Sequence, residues 1–175
     1  MRFFNVVYLL LLSAVLGGLA GCSTPAPEVV QMESIKVLPL ELMDDFQIRK
    51  VKRFFYEPMM FEKTINESVE FDRQSHSFGA ITPGDINERR GNYYDIFWRS
   101  RQPEDVWVRF EYRQAGLGNY LSAKEAFYPQ AKGSFKTVFN VIGDEYFENG
   151  RVTSWRVLLI VNNRIVAFKQ SFMWK

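Results

Sequence analysis

Eight residues, Val106 to Arg113, alternate strictly: Val106, Val108, Phe110 and Tyr112 hold one parity, Trp107, Arg109, Glu111 and Arg113 the other. Side chains advance by about 100° per residue around a helix, which would scatter the first set, whereas a strand sends every second residue to the same face. The segment is therefore read as a strand with an apolar face to bury and a mixed face of Trp, Arg and Glu. Such a strand needs partners, and the flanking sequence supplies runs of the same period. From Gly91 onward, Tyr94, Ile96 and Trp98 share one parity while Asp95 and Arg99 take the other. Phe135, Thr137, Phe139 and Val141 form a further run that stops at Gly143. Gln102 to Asp105, with Pro103 inside it, carries turn chemistry, so the runs on either side are expected to be two strands of an antiparallel pair.

Arg151 to Lys175 reads as a hairpin whose register can be written down. Asn tolerates positive φ and can form a two-residue turn. A turn at Asn162-Asn163 opposes Leu159 to Val166, Val157 to Phe168 and Trp155 to Gln170 on one face. On the other face it opposes Ile160 to Ile165, Leu158 to Ala167 and Arg156 to Lys169. The apolar sets coincide, and a slip of one residue would lose that agreement. Phe168 is a core residue in this register. Arg156 opposite Lys169 is unfavourable unless an acidic neighbour intervenes or an anion binds.

Elsewhere the pattern is weaker. Gln114 to Lys132 is too long for a hairpin turn and holds Gly116, Gly118 and Pro129. Ser122-Ala-Lys-Glu125 has capping-box spacing, so one helical turn is expected inside a connection that either carries function or crosses between sheets. Ile35 and Val37 alternate with polar residues before Pro39 and predict a short edge strand or an ordered arm. Arg49, Lys50, Lys52 and Arg53 form a basic cluster, read as a solvated strand or turn, or as a face for anionic headgroups. Met59 to Arg73 fits one or two strands better than a helix, because Phe71 keeps the strand parity of Met59, Phe61, Ile65 and Val69 but leaves the helical stripe. Short antiparallel strands, few helices and a conspicuous Trp98 resemble an immunoglobulin-like β-sandwich in architecture, without a disulfide to accompany the tryptophan.

The N-terminus decides compartment and anchoring. Arg2 precedes an apolar run from Phe3 to Leu16, as in a secretory signal peptide. Leu19-Ala20-Gly21-Cys22 follows, and it resembles the lipobox of bacterial lipoproteins. That resemblance implies diacylation of the Cys22 sulfur, cleavage just before it and acylation of the new N-terminus. The 18 residues from Phe3 to Ala20 are also near the length of a membrane span. Gly17, Gly18 and Gly21 loosen the end of the run as a processing site requires. Cys22 is the single cysteine, and a lipid explains one unpaired thiol in an exported chain. In enterobacterial lipoproteins of this kind, serine after the cysteine is compatible with transfer to the outer membrane. Ser23 thus implies the periplasmic face of the outer membrane in a Gram-negative cell.

The expected organisation is a signal peptide over 1–21, a lipidated tether and N-terminal arm over 22–45, and a β-sandwich over 46–175. Ser23 to Gln31, stiffened by Pro25 and Pro27, holds the domain within about 30 Å of the bilayer at ~3.1 Å per residue. Removing residues 1–21 from 175 leaves 154, enough for one core. All 20 acidic residues remain and Arg2 is lost from the 22 basic ones, so the mature chain carries +1. A nearly neutral, exported chain argues against nucleic acid as a partner. His76 is the only histidine, and without a free cysteine it makes neither a zinc site nor a Cys-His pair. Asp85-Ile-Asn87-Glu88 lacks the glycine and ligand number of a calcium loop and reads as a polar turn after Pro83-Gly84.

These features describe a non-catalytic, lipid-anchored envelope lipoprotein, without metal or cofactor, that binds or supports another envelope protein. The competing class is a glycan- or small-molecule-binding lipoprotein, followed by a glycan-cleaving enzyme whose carboxylates would meet only in space. Trp107, Arg109, Glu111 and Arg113 are the candidate binding residues, because Trp beside Arg suits both interface hot spots and sugar platforms. Their face could instead lie under the N-terminal arm or a loop. A flat strip favours a protein partner; a concave aromatic groove favours a glycan.

Overall fold

The computed structural model describes residues 26–57 and 82–174, with 67, 68, 71 and 80 between them. The lipobox, His76 and most of Met59 to Arg73 lie outside the described residues; Glu67, Ser68 and Phe71, expected in strands, are helical. The elements are β1 (Val29–Gln31), β2 (Phe46–Tyr56), α1 (Pro83–Glu88), β3 (Gly91–Gln114), a 3-10 turn (Ala115–Leu117), β4 (Ser122–Ile142), α2 (Asp144–Asn149), β5 (Val152–Val161) and β6 (Arg164–Gln170). The fold is all-β and antiparallel, as the period of two requires. One six-stranded sheet runs in the order β1-β4-β3-β5-β6, with β2 attached to β3. Among the described residues no helix is long and apolar enough to cross a membrane.

A long hairpin organises the sheet. β3 and β4, of 24 and 21 residues, pair from Gly91 with Ile142 to Tyr112 with Ser122. β2 pairs with the first half of β3, and β5, followed by β6, with the second half. The result is sandwich-like, with two layers that are halves of one bent sheet. A single buried cluster spans both, joining Ile48, Ile96 and Trp98 of the first layer to Val108, Phe110 and Leu159 of the second. Aromatic contacts fill it. The Tyr94 and Phe110 rings lie 4.5 Å apart, and Trp98 stacks on Phe135 at 4.7 Å while its Nε1 donates to Thr137 Oγ1 at 2.9 Å.

The bend sits where two strands and a turn were expected. Gln102 to Asp105 does not reverse the chain; it lies inside β3, with register shifts between Ser100 and Glu104 and again before Val106. Proline cannot donate to a ladder, so Pro103 ends the regular pairing on one side of the bend. Opposite it, β4 turns through Gln130 and Gly133, with φ of 45° and 108°. Asp105 Oδ1 holds the corner by accepting from Gln130 N at 2.8 Å. Gln114 to Lys132 is likewise mostly strand. Ser122 to Glu125 extends β4 rather than forming a helical turn, because pairing with Tyr112 to Arg109 satisfies the backbone that a capping box would otherwise serve. Only residues 115–121 connect the strands.

Asn162 and Asn163 do form the hairpin turn, at φ of 50° and 59°, as a type I′ turn demands. The register agrees only to Ile160 opposite Ile165. A bulge then places Val166 as an extra residue, so Leu159 opposes Ala167, Leu158 opposes Phe168 and Arg156 opposes Gln170. Phe168 consequently faces outward and is 42% exposed, not a core residue opposite Val157. Asp85 to Glu88 belongs to α1, a short helix rather than a turn, closed by a Thr82-Asp85 capping box.

Residues 32–45 form the ordered arm, while the edge strand lies earlier than expected, at Val29–Gln31 in the segment read as tether. β1 pairs with Lys124 to Ala126 of β4. The arm crosses the outward face of the second layer to reach β6, where Pro39 O accepts from Ile165 N and Ile165 O from Glu41 N, each at 2.9 Å. Leu38 packs there against a second small cluster of Leu158, Ile160 and Ile165.

Candidate functional site

The expected alternation of Val106 to Arg113 is present, and its apolar side is fully buried: Val106, Val108, Phe110 and Tyr112 have no exposed surface. The other side is not one exposed strip. Trp107 is 43% exposed, but Arg109 and Glu111 are 6% and 1% exposed, and Arg113 is half-buried. Long-range covering accounts for the difference. The arm passes over Arg109, whose Nη1 donates to Lys36 O at 3.1 Å.

Burial of these charges is tolerated because they are paired in alternating sign across three strands. Arg109 Nε donates to Glu125 Oε1 at 2.6 Å and its Nη1 lies 3.7 Å from Glu111 Oε1. Glu111 Oε2 accepts from both Nε, at 2.8 Å, and Nη2 of Arg156. Two guanidinium groups and two carboxylates sum to no net charge, and each cation has a carboxylate partner, which a buried ionic group requires. Lys169, expected opposite Arg156, lies opposite Val157 instead, and the neighbour of Arg156 on β3 is Glu111, which pairs with it. Trp174 stacks on the outer end, 4.5 Å from the Arg113 guanidinium and 4.9 Å from that of Arg156. Nothing in a period of two announces Lys36, Glu125 or Trp174, because each comes from a distant segment.

Between arm and sheet lies a cleft of about 570 Å³, lined by Ile35, Leu38, Arg109, Tyr120 and Arg156 among others. Trp107 does not line it. Instead its ring packs on Phe127 of β4 at 4.6 Å, and Phe127 is itself 37% exposed. Val30 of β1, opposite Glu125 in the next register position, is 56% exposed. Trp107 and Phe127 thus form an open aromatic pair, with Phe127 on β4, the strand that β1 joins.

A second polar cluster closes the far end of the hairpin. Tyr112 Oη donates to Glu145 of α2, and Lys124 Nζ donates to Glu145 Oε2 at 2.7 Å and Asn140 O at 2.6 Å. Gln114 Nε2 donates to Glu145 O and Gly150 O, at 3.0 and 2.9 Å, and so fixes the helix. Burial, then the adjacent Glu145, pushes the Tyr112 phenol well above its ordinary range. Its neighbours hold the proton in place, and the cluster acts as a plug. Among the described residues no group of three or more His, Cys, Asp or Glu could hold a metal ion. Comparison of the chain with family models, curated proteins and solved structures finds no match.

Proposed function

We propose that this chain is a lipid-anchored envelope lipoprotein, held through Cys22, whose non-catalytic β domain binds another envelope protein on the surface around Trp107. The observation that carries this reading is the exposed Trp107-Phe127 pair, lying outside the cleft and next to β1. An open aromatic pair of this kind supplies the large, rigid contact area on which interface hot spots are built. Val29 lies seven positions beyond Cys22, so at ~3.5 Å per position the anchor lies within roughly 25 Å of β1. Ser23 agrees with transfer to the periplasmic face of an outer membrane. A second reading, a glycan or small molecule in the cleft under the arm, is favoured by its mixed lining of Tyr120, Arg109, Arg156 and aliphatic side chains.

The test is photocrosslinking in native envelopes from a reactive amino acid at Phe127. Capture of a defined protein is expected, with Trp107→Ala lowering capture by about tenfold or more, the equivalent of ~1.4 kcal/mol or more, at an unchanged melting temperature. Unchanged capture, or capture of nothing, would reject the protein-binding surface. Saturable binding of soluble glycan, lost in Tyr120→Ala, would move the function to the cleft. Intact mass of the membrane form checks the anchor separately.

A further inference from the structure

The outward face of the first layer is cation-rich and lies on the other layer from the surface around Trp107. In register across β2, β3 and β4, Lys50, Phe97 and Lys136 form one row and Lys52, Asp95 and Val138 the next, with Arg99 beyond the first. The four basic side chains are all exposed. Lys52 Nζ and Lys136 Nζ stand over the Phe97 ring at 5.7 and 5.9 Å from its centroid. Asp95 is the one carboxylate in these rows, and it pairs with Lys136 at 2.8 Å. Among the described residues Lys50, Lys52 and Arg99 make no ion pair. So four cations meet one anion on a protein whose mature chain carries only +1.

None of the four cations faces another directly across a strand pair, so the cluster costs the fold little and stays open to a partner. Three of the four are lysines, compact hydrated charges without the fork that grips a single phosphate. An open array of such charges around a ring, with Val138 40% exposed beside it, matches many phosphates spread over a surface rather than one ligand in a pocket. We propose that this face docks on anionic lipid headgroups of the membrane to which the chain is anchored. The tether ends at β1, which pairs with Lys124 to Ala126 of β4 in the second layer, and Lys136 lies on the same strand beyond the bend at Gln130 and Gly133. Proximity rests on the lipid-anchor reading; selectivity for lipid charge belongs to the face itself.

The experiment uses the full-length protein purified from membranes. A lipidated Cys22 leaves no free thiol, so Val138→Cys provides a single position for a polarity-sensitive fluorophore. The labelled protein is reconstituted into vesicles of phosphatidylcholine alone or with phosphatidylglycerol. Docking predicts a blue shift in the anionic vesicles only. The shift should reverse between about 0.1 and 1 M salt, as the screening length falls from ~10 to ~3 Å. It should disappear in Lys50→Gln/Lys52→Gln/Lys136→Gln, with the single Lys50→Gln giving a partial loss if the triple variant misfolds by near-ultraviolet circular dichroism. Emission indifferent to lipid charge, or a shift retained in the lysine variants, overturns the proposal. A shift that appears in neutral vesicles only on adding a soluble anionic polysaccharide overturns it in favour of a polymer. Intact mass is read on the same sample. An unmodified Cys22, or two labels per chain, defeats the anchor and not the headgroup preference, which flotation with the same vesicles then reads.

Discussion

The outward faces of the two layers use the same alternating strands and the same residue types, yet they end in opposite states. On the first layer Lys50, Lys52, Arg99 and Lys136 stand in water around Phe97. On the second, Arg109 and Glu111 are sealed beneath an arm and knit to Glu125 and Arg156. Exposed charges keep their solvation and cost the fold little. Buried ones must be matched in sign and hydrogen-bonded before their burial is tolerable. An outward-facing charge is therefore a structural or a functional element according to what the chain lays across it.

That contrast can be broken or sharpened by substitutions. The inward face sets the scale. Phe110 packs against Tyr94, Tyr112 and Phe139 at no exposure, so Phe110→Ala should destabilise by about 3–5 kcal/mol in denaturant titration. On the covered outward face, Glu111→Leu removes the acceptor for both Arg156 bonds and should cost about 2–3 kcal/mol. Pairing it with Arg156→Met should recover part of the loss, because the two charges then leave together. A cost below that of an exposed substitution would show that the arm does not seal the network.

The plug formed by Tyr112 should matter less at neutral pH, Tyr112→Phe costing about 1 kcal/mol. Its larger effect belongs to alkaline solution. Burial pushes Tyr93 from the usual 10 up to about 12, and Tyr94, Tyr112 and Tyr128 are raised as well. A raised folded-state pKa contributes stability that is fully present below the unfolded value of about 10 and is lost as pH climbs toward the folded one. Stability should therefore fall between about pH 10 and 12, and less steeply in Tyr112→Phe, as followed by tyrosinate absorbance and circular dichroism together. The smallest effects are expected in open positions. Lys52→Ala and Phe168→Ala should each shift unfolding by no more than ~0.5 kcal/mol, where the original hairpin register would have required a core-sized loss at Phe168.

Much of the second layer was legible as sequence, because strand faces and tight turns are set by neighbours in the chain. A period of two alone identifies Val106, Val108, Phe110 and Tyr112 as core, and Asn162-Asn163 as a turn, since both depend on local stereochemistry. The long β4 was not legible at its start. Ser122 to Glu125 carries a helical capping signal that pairing with β3 overrides. The candidate site was half visible: Trp107 is open as its position suggests, while Arg109 and Glu111 carry the same outward parity and are buried.

What the sequence by itself determined, then, is which side each strand residue takes and where the last hairpin turns. Tertiary structure decided three other things: that β3 bends at Pro103 instead of reversing, that one extra residue at Val166 sends Phe168 outward, and that the arm covers one charged face and leaves the other bare. The reason is separation along the chain. Alternation is a relation between adjacent residues, but Arg109 is buried by Lys36, 73 positions away, and no local pattern records that closure.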